Sequence, residues 1–250
     1  MQLDDNLVVD ENSFYNYYDS KTSLFQYTCS TTLTDGVHIA IFNTVDGTGN
    51  KMEPIYYTFT TDTSSPIINS VTIPETSENT TIAIEANVSD ENISRVLAVM
   101  ECIDTTYTYE MDNNGGIWTV NVENLPDFAV LKTYIKAYDS FGNESKSGIY
   151  ETITAKNSGN EISIGIVSVD VKDIVIGINN KLEDTNSCIY VVGYSSQGEL
   201  EEIKTIDVTK VGVMIEPVKM DELHDTYKVF CWESLNTLNP LSDYSEYFKF

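Results

Sequence analysis

Residues 81–88 read TIAIEANV, and their alternation decides the fold class. Ile82, Ile84, Ala86 and Val88 fall on one side of an extended chain, and Thr81, Ala83, Glu85 and Asn87 on the other. Side chains that repeat every two residues in this way describe a half-buried strand. Runs of the same kind, rich in β-branched residues and tyrosine, recur as HIAIFNTV (38–45), RVLAVMEC (95–102), TYTYEM (106–111), IWTVNV (117–122), KTYIKAY (132–138), KDIVIGIN (172–179) and CIYVVGYS (188–195). Turn-forming stretches such as DNNGG, DSFGN and SSQGE separate them. A sustained helical period is missing, so the chain reads as all-β, with one short helical turn expected around Met220 to His224.

An internal repeat sets the domain count. In HIAIFNTVDGTGN (38–50) an inward row of Phe42 and Thr44 leads to Asp46, Gly49 and Asn50; in LKTYIKAYDSFGN (131–143) Ile135 and Ala137 lead to Asp139, Gly142 and Asn143. The spacing, about 93 residues, is that of one β-sandwich per repeat. Each copy has a mechanical sense: the Asp accepts backbone N–H bonds in the turn, and the Gly stands where φ becomes positive. Pro66 stiffens the next junction, because it restricts the residue before it to extended geometry. The expected units are residues 1–65, 66–157 and 158–250, tandem Ig-like or fibronectin-like β-sandwiches of which the first is short of a full repeat. Met1 reads as the start of a fragment whose export signal lies upstream.

The residues Asp46, Gly49, Asn50, Asp62, Thr63 and Pro66, with Asp139, Gly142 and Asn143, resemble the bacterial Ig-like repeat modules of surface proteins. The second unit departs from that pattern where KNSGN replaces the Asp-Thr-Pro linker. The last unit resembles a small C-terminal, fibronectin-like module of secreted clostridial proteins, through Lys228, Phe230, Trp232, Glu233, Ser234, Leu235, Thr237, Pro240 and Leu241. That resemblance implies an extracellular accessory module with no chemistry of its own.

Composition excludes several partners. The 250 residues carry 39 Asp and Glu against 14 Lys and Arg, a formal net charge of −25. Such a surface repels nucleic-acid phosphates and anionic lipid headgroups. No run approaches the ~20 apolar residues of a membrane-spanning helix, so membrane insertion is not expected in this segment. Cys29, Cys102, Cys188 and Cys231 form no C-x-x-C pair; lone buried thiols are expected, with a Cys188–Cys231 bridge left open.

No residue stands out as a catalytic candidate. His38 and His224 lie in different units without zinc-protease spacing or a partnered nucleophile. GYSSQG (193–198) departs from G-x-S-x-G and sits in a hairpin, and MDNNGG (111–116) lacks the alternating ligands of an EF-hand. Calcium is the one cofactor with a physical case, because it takes six to eight hard oxygens. Asp46, Asn50, Asp62 and Asp139 are its candidate ligands, with Asp90 and Glu91 available to complete a site. Asn79, Asn87, Asn92 and Asn143 stand in glycosylation sequons, which follow from Asn and Ser/Thr abundance in a bacterial protein. Trp118 and Trp232 are expected in the core. The expected function is a non-enzymatic spacer, adhesion or display region of a larger cell-surface or secreted protein, meeting a surface protein or a glycan. The alternative is a carbohydrate-binding accessory region, to which the FYNYY cluster (Phe14, Tyr15, Tyr17, Tyr18) draws notice; an exposed row of aromatic rings would favour it.

Overall fold

In this computed structural model, residues 1–77, 80–102, 105–156, 161–183, 187–233, 240–242 and 244–248 are described. The expected boundary at 157–158, the sequon residue Asn79, and Ser234, Leu235 and Thr237 lie outside them. The chain falls into two compact units, Met1–Ser65 with Asp139–Asn143, and Pro66–Tyr138 with Glu144–Phe250.

The first unit holds β1 (Gln2–Leu3), β2 (Asn6–Leu7), β3 (Tyr18–Asp19), β4 (Leu24–Phe25), β5 (Gly36–Phe42) and β6 (Ile55–Thr61). One sheet runs β2-β1-β5-β6, and β3 and β4 form a separate ribbon. Along β5, His38 and Ala40 are buried while Val37 and Ile39 are exposed. The inward row extends less far than the repeat suggests: Phe42 is half-buried and Thr44 exposed. The aromatic cluster packs on itself. Phe14 stacks on Tyr18 and Phe25, and Phe25 meets Phe42 edge-on.

The second unit begins with β7 (Ile67–Thr72), β8 (Thr76–Ser77), β9 (Ile82–Ser89), β10 (Ile93–Cys102), β11 (Thr105–Glu110), β12 (Asp112–Asn114), β13 (Ile117–Val122), β14 (Val130–Asp139), β15 (Glu144–Lys146) and β16 (Tyr150–Thr154). Two sheets, β12-β13-β9-β7 and β11-β10-β14-β16-β8, face one another. Ile82, Ile84, Ala86 and Val88 of β9 enter one core with Trp118, Leu131, Ile135 and Ala137, so the alternation of residues 81–88 is the alternation of core and surface.

A second core lies between β17 (Ile162–Asp170), β18 (Asp173–Asn180) and β21 (Gly212–Lys219) on one side and β19 (Cys188–Tyr194), β20 (Leu200–Asp207), β22 (Thr226–Trp232) and β23 (Ser245–Phe248) on the other. The orders β17-β18-β21 and β20-β19-β22-β23 make a three-plus-four sandwich in which the fourth strand pairs with the third. Both cores lie between facing sheets whose strands pair antiparallel apart from the short parallel pair of β8 and β16, the architecture of Ig-like and fibronectin-like domains.

These two sandwiches meet at an aromatic contact. Gly165 and Gly177 pair across β17 and β18. A Cβ built on Gly177 would lie 2.2 Å from Cγ of Phe128, and one on Gly165 would lie 2.7 Å from Cδ2 of the same ring. Strand glycines of this kind mark a close approach. The loop carrying Phe128 is held by buried Thr154, whose hydroxyl donates to the Pro126 carbonyl (2.6 Å) and accepts from the Ala129 N–H (2.8 Å). So pinned, Phe128 adopts a left-handed φ of 51°, uncommon for a residue with a large side chain.

Residues 220–225 form a loop and not the expected helical turn. The N–H groups that would close such a turn are bonded elsewhere, that of His224 to the Tyr227 hydroxyl (3.0 Å) and that of Asp225 to the Tyr194 carbonyl (3.0 Å), while Glu202 accepts the N–H groups of Asp221 (2.8 Å) and Glu222 (3.2 Å) and ties the loop to β20. One 3-10 turn, Phe14–Asn16, occurs instead in the first unit.

Candidate functional site

The two copies of Asp-x-x-Gly-Asn form the same turn. The Asp46 carboxylate accepts the N–H of Thr48 (2.8 Å) and of Asn50 (2.9 Å), the Thr48 hydroxyl and the Asn50 amide. Asp139 accepts the N–H of Phe141 and of Asn143, both at 2.8 Å, and the Asn143 amide at 2.6 Å. Gly49 and Gly142 have φ of 93° and 95°, conformations that a side chain would strain. The donated bonds hold the Asp46 carboxyl well below its ordinary range. Burial works to raise that of Asp139, but the Asn143, Phe141 and Gly142 donors outweigh it and keep it lowered.

Of the four candidate calcium ligands, Asp46 and Asn50 therefore bond to each other in their own turn. Asp62 and Asp139 come together elsewhere in the first unit, with carboxylate oxygens within 4.8 Å. The Asn143 amide links them, donating to the Asp62 carbonyl (3.0 Å) and to the Asp139 carboxylate. The Asp62 carboxylate also accepts the Ser64 N–H. This pair supplies hard oxygens of the kind calcium takes.

The two histidines occupy different settings. In the first unit His38 is buried, with Nδ1 on the Asp4 carboxylate and Nε2 near the Thr34 carbonyl and Thr61 hydroxyl. The Asp4 carboxylate and the Thr34 carbonyl raise its pKa. In the second unit His224 lies over Gly193, where a Cβ would come 2.2 Å from the imidazole. Its Nδ1 is 2.8 Å from Glu201 and its Nε2 is 2.8 Å from Glu202.

A β-bulge lets two successive glutamates reach one ring. Gly193 pairs with Glu202 and Tyr194 with Leu200, so Glu201 is the extra residue; such a residue re-aims its side chain. Burial acts to lower the His224 pKa, but the two carboxylates raise it overall. Burial likewise pushes Glu202 up, yet the Asp221 and Glu222 N–H groups, His224 and Lys204 bring it down to about 2. Chemically the cluster is an imidazole held between two carboxylates at a cleft of about 400 Å³ lined by Glu201, Glu202, Asp221, Glu222, Leu223 and His224.

Trp118 is in the core as expected, but Trp232 is not. On β22, Tyr227, Val229 and Cys231 face inward, which turns Lys228, Phe230 and Trp232 to the outer face. There Tyr190, Trp232, Phe230 and Tyr244 form a ladder with centroids 5.2, 5.1 and 5.9 Å apart and interplanar angles of 39°, 25° and 30°. The inner rings turn their faces toward one another, while Tyr244 at the end of the ladder is 58% exposed.

No protein-family model and no curated protein matches the sequence. Among solved structures, the FN1–FN3 domains of chicken CNTN1 align at 12% identity and a TM-score of 0.33, covering 78% of this chain and 70% of that one. A 1.5-MDa bacterial ice-binding adhesin aligns at 14% identity and a TM-score of 0.30, over 74% of this chain and 64% of that one. The fibronectin(III)-like modules of Clostridium thermocellum CbhA align at 14% and 0.28, over 72% and 93%. Likeness at this depth transfers no activity or partner. The fold class rests on the strand topology.

All four thiols are free. Cys188 pairs with Trp232 and Ile189 with Cys231 across β19 and β22. Cys231 therefore points into the core and Cys188 away from it, which leaves the bridge that the sequence held open geometrically unavailable. The membrane expectation concerns helices alone: among the described residues none is long and apolar enough to cross a bilayer.

Proposed function

We propose that this chain is a non-catalytic spacer, adhesion or display region of a larger extracellular protein, of a bacterial cell surface or secreted. The observation that carries the reading is the contact of Phe128 with Gly165 and Gly177. A ring seated on a glycine pair, with its loop tied by Thr154, restrains two neighbouring sandwiches in a way that a display module needs and a freely jointed pair lacks. The inner rings of the aromatic ladder stack on one another, and both ring nitrogens of His224 are engaged by its own glutamates; both features favour architecture over sugar binding or catalysis.

Small-angle scattering of the full chain and of Phe128→Ala tests the restraint. The reading expects a broader distance distribution in the variant, and identical distributions would remove its support. A polysaccharide-binding screen on the wild-type chain addresses the rival: saturable binding there replaces the spacer with a carbohydrate-binding accessory region. Calcium belongs to this proposal at Asp62 and Asp139. Melting in EDTA and in millimolar calcium decides it, since a ligand that binds only the folded state raises the melting temperature, and equal melts exclude it.

A further inference from the structure

We infer that β6 is a docking edge for an extended polypeptide strand of uncharged β-forming residues carrying lysine or arginine at the end that lies beside Thr61. Its sequence, IYYTFTT, consists of β-branched and aromatic residues alone, the strand formers. It pairs with β5 through seven consecutive residues without a bulge, and it terminates its sheet. Ile55, Tyr56 and Tyr57 are 57%, 66% and 62% exposed. Both faces of the strand are open, since adjacent residues point to opposite sides.

Other edge strands in the chain carry the devices that discourage pairing. β7 and β17 are bulged, β12 has three residues, β20 bears Glu201, Glu202, Lys204 and Asp207, and β21 contains Pro217. β11 runs through Met111 directly into β12 of the facing sheet. β6 has no bulge, charge or proline between Ile55 and Thr61. An added strand would hydrogen-bond to its outer backbone groups and extend the apolar surface of Val37, Ile39 and Tyr56.

Charge selects the occupant. The Thr61 end carries Asp62, with the Asp139 carboxylate within 4.8 Å of it, and Asp35, which accepts from Thr63 and Ser64. The Ile55 end is balanced by Lys51 and Glu53 and closed by Pro54. A second copy paired antiparallel would set that balanced end against the acidic one and supply no net cation; paired parallel, it would set acid on acid. A strand antiparallel to β6, like β5, brings its own N-terminus beside Thr61, which is where the cation belongs.

The test titrates the full 15N-labelled chain with acetyl-Lys-Lys-Val-Thr-Val-Thr-Val-amide and with its Glu-Glu counterpart. The inference expects amide shifts confined to residues 55–61 and their β5 neighbours, at least ten-fold tighter binding of the lysine peptide, weakening with salt, and loss of binding when the peptide is N-methylated at alternate residues. Thr58 is exposed, so Thr58→Lys should weaken and Thr58→Glu strengthen the lysine peptide without disturbing the fold. Equal affinity for both peptides, shifts elsewhere or none, or a concentration-dependent dimer that shields the β6 amides would overturn it.

Discussion

Phe128 stands on Gly177: a Cβ at residue 177 would meet Cγ, Cδ1 and Cβ of Phe128 at 2.2, 2.3 and 2.4 Å. One of those atoms is the Cβ itself, so a rotamer change cannot clear the space.

Gly177→Ala is therefore expected to destabilise the second unit by about 1–3 kcal/mol, the range for overpacking. Phe128→Ala is expected to cost about 3–5 kcal/mol through the buried void. Combined, the two should cost less than their sum, because the close contacts to Cγ and Cδ1 vanish with the ring and only the one to Cβ remains. Urea denaturation followed by tryptophan fluorescence checks this, since Trp118 and Trp232 both lie in the second unit. Strict additivity would mean that the two residues do not touch.

His224 gives the second unit an alkaline limb. Its folded-state pKa lies above the ordinary value of 6.5, so its contribution is complete below 6.5 and is lost as pH rises through the folded value. Glu202 runs the other way: held at about 2 against an ordinary 4.5, it contributes above 4.5 and ceases to as pH falls through about 2. Fluorescence-detected melting should show this pair at full strength between those two ordinary values and a decline on the alkaline side. His224→Gln should flatten that decline. A variant with the wild-type slope would show that His224 does not titrate there.

The thiols predict insensitivity to reductant. Burial drives the Cys231 thiol up to about 11, and the thiolate is the reactive form. Native protein should leave Cys231 unmodified by a thiol reagent, denatured protein should release four equivalents, and dithiothreitol should not move the melting temperature. A drop in that temperature on reduction would reveal a bridge.

Local turn chemistry was legible in the sequence; long-range packing was not. Asp46 and Asp139 cap the turns their spacing announces because the donors lie within four residues. The faces of β22 were harder to read, since Tyr227, Val229, Phe230, Cys231 and Trp232 leave little polar alternation. Lys228 was the available signal, because it shares its parity with Phe230 and Trp232 and so marks their face as outward. The strand glycines at 165, 177 and 193 are the only local trace of close approaches, and they name neither Phe128 nor His224 as the visitors. At the helical turn expected near Met220, the local pattern carried no trace of Glu202, which reaches over from another strand.

The paired turns make a last prediction, because sequence alike does not mean burial alike. Asp46 is exposed and Asp139 is 3% exposed. In Asp46→Ala the released N–H groups of Thr48 and Asn50 can turn to water. In Asp139→Ala those of Phe141 and Asn143 and the Asn143 amide lose a buried acceptor, and a buried donor left unmade costs more than an exposed one. Calorimetric melting of the two variants should therefore show the larger fall for Asp139→Ala. Asn143→Ala should resemble it, because the Asn143 amide also ties the Asp62 carbonyl. Equal falls at positions 46 and 139 would mean that turn geometry alone, and not the burial of the cap, sets the contribution of this repeat.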